Sequence, residues 1–517
     1  MKHNLLASVM VGFLVLFMWS EAGASPANRL ISPNDAGRMG LTRAWFTQVR
    51  LDPGRSRVEH IRLFEATDRL PDTLFVQTDR AVVHAIDAET GQTLWVRSVG
   101  SPNHPSMSLG ANDEIVGVAN GTTLYLIDRA DGRIVWTRRL TGVPVDGLVL
   151  TNHFVFIPML NGQVLAYPIT KKQFEEDESP PVAAAKEDAP PNDVAAEAEK
   201  RPAPEPAVET NQGPLALETE FSLPLTCVSL GRVTSQPIFI HEDFRNQYLA
   251  WSTTTGLFVA YVNLTMRDDF PVKYQLRTTS SMVTQPTYLP PGIGQGNIDG
   301  LIFSTSAAGE IHAIAATRGT ELWQYAVGQP INEPVTPIRE RLYAVTELGT
   351  LFCLDSITGQ VHWSIEGVGQ FVAASENRVY VADRGGQLVA LDVNTGARVD
   401  SLFTSDLPVK FRNVRTDRIY LATPSGLVQC LRETAQTEPL RHRRVAKAAS
   451  EKAPQPSAKP KDEKDPFAVP DQEDEKNPPA SPAPGKEAED PFAAPAPGKE
   501  AEDPFAAPAQ GGANPSE

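Results

Sequence analysis

The sequence Ala85-Ile-Asp-Ala-Glu-Thr-Gly-Gln-Thr-Leu-Trp95 is the strongest indication of the fold, because close copies of it recur along the chain. Three further full-length copies end at Trp136, Trp323 and Trp363, and a fifth copy, Ala390 to Gly396, lacks the tryptophan. Each copy follows an apolar strand and a small turn, so one repeat reads as strand, turn, strand, turn, strand. Internal repetition of this kind predicts a repeat architecture rather than several unrelated domains.

The small turn residue gives the period of the repeat. Neighbouring turns lie 37 to 41 residues apart wherever no insertion intervenes, which matches one four-stranded blade per repeat. The predicted fold is therefore all-β, an eight-bladed β-propeller over residues 44–432. The eight turn positions are Ala81, Gly121, Gly162, Gly256, Gly309, Gly349, Gly386 and Gly426.

Two segments interrupt or follow the repeats, namely residues 171–214 and 433–517. Both are rich in Pro, Ala, Glu and Lys and poor in branched and aromatic residues, so we predict that they are disordered. The first falls between the last two strands of blade 3. Together the two segments carry −12 of the net charge of −16, which leaves the folded part nearly neutral. We therefore expect no nucleic-acid partner, and we interpret the cluster from Arg441 to Lys447 as a solvated hinge.

The first 24 residues resemble a secretory signal peptide. Lys2 and His3 precede an apolar run from Leu5 to Trp19, and Ala22-Gly-Ala24 forms a small-x-small site before Ser25. The run is shorter than the roughly 20 residues of a membrane-spanning helix. The sequence predicts an exported, periplasmic or envelope-associated monomer with a lead-in at residues 25–43 and no membrane span after cleavage.

Closure of the ring requires an outer strand for blade 8, whose repeat stops after its third strand. The stretch Ala44-Trp45-Phe-Thr-Gln-Val49 has no repeat of its own and matches the spacing of Leu94 to Val99. We predict that it supplies the missing strand, because an open ring would expose unpaired strand edges. The alternative is an unrelated lead-in strand.

The phrase Ala-x-Asp-x-x-Thr-Gly-x-x-x-Trp resembles the tryptophan-docking motif of pyrroloquinoline-quinone (PQQ)-type propeller repeats, a family that includes quinoprotein dehydrogenases and the outer-membrane protein assembly factor BamB. In that family the tryptophan packs against the adjoining blade, so the resemblance implies a structural role for the motif. The recurring aspartates precede tight turns, where a carboxylate accepts backbone N–H groups. The motif residues are Trp45, Trp95, Trp136, Trp323 and Trp363; Asp87, Asp128, Asp355 and Asp392; and Gly91, Gly132, Gly319, Gly359 and Gly396.

The sequence predicts no catalytic, metal or cofactor residues. Resemblance to a quinoprotein dehydrogenase would imply an adjacent cysteine pair and a calcium ion beside PQQ, yet Cys227, Cys353 and Cys430 stand apart. We read Cys353 and Cys430, at equivalent positions of blades 6 and 8, as small buried hydrophobes, with reactive thiols as the alternative. PQQ with calcium is a cofactor only under the alternative of a quinoprotein oxidoreductase.

The tail repeats a pattern, Lys486-Glu-Ala-Glu-Asp-Pro-Phe-Ala-Ala-Pro, thirteen residues later. A phenylalanine in a polar chain is a candidate anchor for the pocket of a partner. Duplication by slippage in low-complexity DNA explains the copies equally well. The residues of this candidate motif are Asp490, Pro491, Phe492, Asp503, Pro504 and Phe505. The leading functional hypothesis is a non-catalytic scaffold that binds protein partners in the cell envelope, with outer-membrane protein assembly as its candidate process. The alternatives are the PQQ-dependent oxidoreductase and an envelope sensor or surface-binding module.

Overall fold

A computed structural model of the chain describes residues 30–52, 54–169, 223–241, 247–262, 269–294 and 297–442. Within these residues the strands form eight antiparallel sheets of four strands each. The predicted eight-bladed β-propeller is thus confirmed. The predicted signal peptide, the whole predicted insertion at residues 171–214 and the tail motif lie outside the described residues.

The first four blades follow one another along the chain, each running from an inner first strand to an outer fourth strand. Blade 1 holds β2 (Val58–Phe64), β3 (Thr73–Thr78), β4 (Val82–Asp87) and β5 (Thr93–Ser98). Blade 2 holds β6 (Gly110–Ala111), β7 (Ile115–Asn120), β8 (Thr123–Asp128) and β9 (Ile134–Arg139). Blade 3 holds β10 (Val149–Leu150), β11 (Phe154–Pro158), β12 (Gln163–Pro168) and β13 (Leu225–Val228). Blade 4 holds β14 (Ile238–His241), β15 (Gln247–Thr253), β16 (Gly256–Tyr261) and β17 (Val272–Arg277).

The second half of the ring repeats this order. Blade 5 holds β18 (Thr287–Leu289), β19 (Leu301–Thr305), β20 (Glu310–Ala315) and β21 (Glu321–Ala326). Blade 6 holds β22 (Thr336–Ile338), β23 (Arg341–Val345), β24 (Thr350–Asp355) and β25 (Val361–Glu366). Blade 7 holds β26 (Val368–Ala374), β27 (Arg378–Asp383), β28 (Leu388–Asp392) and β29 (Arg398–Leu402). Blade 8 holds β30 (Val409–Lys410), β31 (Ile419–Ala422), β32 (Leu427–Glu433) and β1 (Leu41–Gln48).

Burial along the strands follows their place in the blade. All six residues of β3, a second strand, are buried, because this strand has a neighbouring sheet on each face. The six positions of the outer strand β21 are instead all exposed or partly buried. The core therefore consists of eight layers between adjacent blades rather than one central cluster.

The ring is closed by pairing the two ends of the propeller. β1 pairs antiparallel with β32, and Trp45 lies opposite Cys430 in the register. The prediction that the strand around Trp45 completes blade 8 is confirmed. Before β1, the helix α1 (Pro33–Arg38) is capped by the Ser32 side chain, and Ile31 packs with residues of blades 7 and 8.

The C-terminal end of the propeller extends beyond the predicted boundary at Arg432. β32 ends at Glu433, and the described chain continues to His442. Two guanidinium nitrogens of Arg441 contact the carboxylate of Asp72 in blade 1, at 3.0 and 2.5 Å. The prediction that Arg441 is part of a solvated hinge is wrong, because its side chain is tied to a carboxylate that is only 6 % exposed.

The antiparallel order of each blade gives the ring two faces. The loops that join first to second strands and third to fourth strands lie on one face, which we call the funnel face. The turns that join second to third strands, and the connections between blades, lie on the other, which we call the turn face. The motif glycines lie on the funnel face, and the eight turn residues that define the repeat period lie on the turn face.

Candidate functional site

The repeat motif joins neighbouring blades through hydrogen bonds from ring to backbone. The indole N–H of Trp45 donates to the carbonyl oxygen of Ala88 in blade 1, at 2.9 Å. Trp95 donates in the same way to Arg129 in blade 2. The same bond recurs from Trp323 to Ser356 and from Trp363 to Val393. A buried indole needs such an acceptor, so each tryptophan both fills and orients the junction between two blades.

The motif glycine makes room for the ring. At Gly91, φ is +74°, and a Cβ built on this residue would lie 2.6 Å from Cδ2 and Cε3 of Trp45. A side chain there would meet both a disfavoured backbone conformation and the ring. The glycine-to-ring contact recurs between Gly132 and Trp95, Gly359 and Trp323, and Gly396 and Trp363.

The motif aspartates lie at the turns that carry these glycines. The Oδ1 atom of Asp87 accepts the backbone N–H groups of Glu89 and Thr90, both at 2.9 Å. Asp355 and Asp392 accept the equivalent two N–H groups and a threonine hydroxyl, and Asp128 accepts the N–H of Ala130. The hydroxyl of Thr395 and its backbone N–H hold the pKa of Asp392 below its ordinary value. These carboxylates accept hydrogen bonds from groups within their own turns. None of them lines the funnel described below.

The fourth strands of three blades carry another residue in place of the tryptophan: Leu225 in blade 3, Tyr274 in blade 4 and Asp400 in blade 7. In blade 4, Tyr274 takes the place of the tryptophan: its ring packs on Gly319, and its hydroxyl donates to Ala316 at 2.9 Å. No spacing signal in the sequence indicated Tyr274, because it lies 18 residues after Gly256, whereas Trp95, Trp323 and Trp363 each lie 14 residues after the turn residue of their blade. Trp136 lies partly buried, 6.4 Å from the ring of Tyr167. The connection between the third and fourth strands of blade 3, which it would face by analogy, lies outside the described residues.

A funnel of about 440 Å³ opens on the funnel face, around the inner strands. Its wall includes residues from blades 1 to 6 and blade 8 and carries four arginines, Arg62, Arg129, Arg412 and Arg415. Two carboxylates, Glu65 and Asp113, line it as well. The funnel wall therefore holds an excess of positive charge, although the folded part of the chain is nearly neutral.

Burial perturbs the arginines of the funnel. Desolvation lowers the pKa of Arg412 to about 10, and nearby Glu333 opposes that shift while Arg62 adds to it. Desolvation also lowers the pKa of Arg62, with opposition from Asp146 and a further lowering by Arg415. The charged forms of these guanidinium groups thus lack much of the stabilisation that water would supply.

The funnel does not fit the calcium ion that a PQQ enzyme holds. Calcium takes six to eight oxygen ligands, many of them carboxylates. Here the carboxylate of Glu65 pairs with Arg415 at 3.1 Å, and the amide oxygen of Gln236 accepts Arg62 at 2.7 Å. Within the part of the chain that the structure describes, no group of three His, Cys, Asp or Glu side chains is placed to hold a metal.

The cysteines are buried and unpaired. Cys227, Cys353 and Cys430 are free thiols, each at most 2 % exposed. Burial raises the pKa of Cys227 to about 11, and it also raises the pKa values of the other two thiols. Since the thiolate is the reactive form, these positions do not favour a reactive thiol.

The turn face of blade 3 exposes a group of aliphatic side chains, which we call the blade 3 patch: Val143, Leu160, Val228 and Leu230. Each exposes between 50 and 65 % of its surface. Their loops are in contact, because the N–H of Leu160 donates to Val143 and the N–H of Ser229 donates to Gly162. Exposed aliphatic groups gathered on adjoining loops are typical of a protein-binding surface.

Comparison with known proteins identifies relatives of the fold. A family model described as "Outer membrane protein assembly factor BamB" matches residues 46–171 and 292–446, more than half of the chain. No curated protein matches the sequence. Among solved structures, BamB from Moraxella catarrhalis is 13% identical, with a TM-score of 0.48, over 75% of this chain and 98% of that chain.

Two further solved structures are similar to this chain. Sqt1 from Saccharomyces cerevisiae is 10% identical, with a TM-score of 0.52, over 75% of this chain and 98% of that chain. Quinohemoprotein alcohol dehydrogenase from Comamonas testosteroni is 11% identical, with a TM-score of 0.48, over 78% of both chains. Sequence identities this low support similarity of fold and give no information about function.

Proposed function

Since this chain belongs to the family of the outer membrane protein assembly factor BamB, we propose that it is a non-catalytic scaffold that binds protein partners in the cell envelope during outer-membrane protein assembly. Export through the segment before Ser25 is part of this proposal. Among the described residues, no helix is both long enough and apolar enough to cross a bilayer.

The observation that carries the proposal is the blade 3 patch. Val143, Leu160 and Leu230 lie in loops of the turn face and Val228 ends β13, and none of the four belongs to the buried core. Covering such a patch removes apolar surface from water, which favours association by roughly 25 cal/mol per Å² before the entropic cost of binding. We assign this patch to a protein component of the outer-membrane assembly machinery.

The test is affinity capture from envelope extract with the full chain as bait and identification of the captured proteins. We expect outer-membrane assembly components to be enriched by the unaltered chain and lost with the double variant Leu160→Asp and Leu230→Asp. The matched control is Ile298→Asp, which alters an aliphatic residue that is 82 % exposed in blade 5. The proposal fails if no assembly component is enriched, or if the double variant captures the same set as the control.

A further inference from the structure

The funnel carries more buried positive charge than its own carboxylates neutralise. Arg62 donates to the hydroxyl of Ser108 and to the amide oxygen of Gln236, both at 2.7 Å. Arg412 donates to the carbonyl oxygen of Pro334 at 2.7 Å and to the hydroxyl of Thr336 at 3.4 Å. These acceptors are neutral. A guanidinium removed from water and held by neutral groups is costly for the folded chain.

Arg129 adds an unsatisfied donor to the same wall. Its side chain is only 3 % exposed, and its two terminal nitrogens donate to the carbonyl oxygens of Asn112 and Glu65, at 3.0 and 2.7 Å. Its Nε atom is buried without a partner. Among the residues that the structure describes, no carboxylate lies within ion-pair distance of Arg62, Arg129 or Arg412.

Asp113 of the funnel wall acts on Arg129 only through space, and the other carboxylates near these arginines are hydrogen-bonded elsewhere or lie beyond ion-pair distance. Asp146 accepts the backbone N–H groups of Gly147 and Gln236, at 2.7 and 2.8 Å. Glu333 acts on Arg412 through space, and its own pKa is raised by burial. The funnel therefore favours an added anion, because carboxylate oxygens would give the arginines the charge-assisted hydrogen bonds they lack.

The rest of the wall combines polar residues, such as Asn112 and Gln285, with aromatic and aliphatic ones. Phe64, Phe239 and Phe411 are half-buried rings of the lining, and Tyr288 and Ile238 stand beside them. The guanidinium of Arg415 lies 5.7 Å from the ring centre of Phe64. A lone inorganic anion would use only the arginines. A peptide with carboxylates beside an aromatic side chain would use both parts of the wall.

We propose that the funnel is a second binding site, separate from the blade 3 patch, and that it takes an acidic, aromatic-bearing peptide segment of a partner protein. The carboxylates of the segment pair with Arg62, Arg129 and Arg412, and its ring lies against the phenylalanines. This inference rests on the proposed function as a protein-binding scaffold. The two sites are on opposite faces, so one partner at each face would be held at the same time.

The test uses isothermal titration calorimetry of the full chain with the peptide acetyl-Asp-Glu-Phe-Asp-Glu-amide at low salt. We expect saturable binding that weakens as salt is added, and no binding of the neutral peptide acetyl-Asn-Gln-Phe-Asn-Gln-amide. Arg62→Gln and Arg412→Gln should each weaken binding by about tenfold or more, as expected for loss of a charged hydrogen bond. Arg57→Gln, which alters an arginine that is 71 % exposed near the turn face, is the matched control and should bind normally.

The thermal transition of each variant is measured alongside binding. Removing an uncompensated buried charge should leave the midpoint temperature of unfolding unchanged or raise it. Weaker binding by these variants would therefore not reflect unfolding. The two peptides give a test that needs no variant. Equal binding of both peptides, equal binding by Arg412→Gln, or binding of citrate but not of the acidic peptide would each overturn the inference. The variant with Leu160→Asp and Leu230→Asp should bind the peptide normally; if partner capture depends on that patch but no peptide binds, the funnel inference alone fails.

Discussion

Replacing Gly91 by alanine should destabilise the propeller at its point of closure. The new Cβ would lie 2.6 Å from the ring of Trp45, at a backbone φ of +74°. The backbone conformation alone costs about 1–2 kcal/mol in a residue with a side chain. The ring must also move, which strains or breaks its hydrogen bond to Ala88 and forfeits part of its burial. Complete loss of a buried tryptophan costs about 3–5 kcal/mol, so we expect a further cost of about 2–3 kcal/mol.

The chain offers a matched control for the backbone cost. Gly328 has a φ of +75°, and a Cβ built there would meet no atom within 4 Å. Gly328→Ala should therefore lower the free energy of unfolding by only about 1–2 kcal/mol. The difference in free energy of unfolding between the two alanine variants measures the cost of the contact with the ring of Trp45, because the backbone cost is common to both.

The assay is urea unfolding followed by far-ultraviolet circular dichroism, which does not depend on the fluorescence of the altered tryptophan. A double-mutant cycle completes it: with Trp45→Ala already present, Gly91→Ala should cost no more than Gly328→Ala. The reasoning is refuted if Gly91→Ala and Gly328→Ala are equally stable, or if the cost of Gly91→Ala stays the same after the ring is removed.

Three further predictions concern single contacts, each measured by urea unfolding. Tyr274→Phe keeps the ring but removes the hydrogen bond to Ala316, so it should lose about 0.5–1.5 kcal/mol; wild-type stability would contradict this. Arg441→Gln leaves the buried carboxylate of Asp72 without its cation and should cost about 1.5–3 kcal/mol; a neutral effect would show that the end of the chain contributes nothing. Burial lowers the pKa of His84 to about 4, so the unfolded chain binds the extra proton below pH 6.5 and stability falls as the pH drops toward 4. Between pH 7 and pH 5 this loss should be about 2 kcal/mol and absent in His84→Gln, and equal pH dependence would disprove it.

The sequence was most informative where one local contact is repeated. The spacing from Gly91 to Trp95 recurs because every blade must dock on the next, so the period and the closing strand could be read directly. Asp400 stands where blade 7 would carry a tryptophan, and blade 8 explains why. Its third and fourth strands come from opposite ends of the chain, so it has no turn between them to receive a ring.

The funnel could not be predicted in this way. Arg62, Arg129 and Arg412 come from different blades and do not share a position in the repeat, so only the closed ring brings them together. The first strands of blades 2, 3 and 8 are two residues long, too short to show any periodicity. The contact of Arg441 could not be predicted for a related reason. Its partner Asp72 lies 369 residues away in sequence, and the local composition indicated a solvated position.

The pairing of β1 with β32 also sets the order of events during synthesis. The hydroxyls of Thr42 and Thr434, which meet at this seam, are 392 residues apart in sequence. At roughly 5–20 residues per second, a ribosome needs about 20–80 s to produce the second partner after the first has emerged. Throughout that interval the nascent chain has seven complete blades at most, and two of its strand edges are unpaired. A chain truncated before β32 keeps these two edges unpaired. Formation of blade 8 therefore requires that synthesis has reached β32. Only then are the strand edges paired that would otherwise promote aggregation.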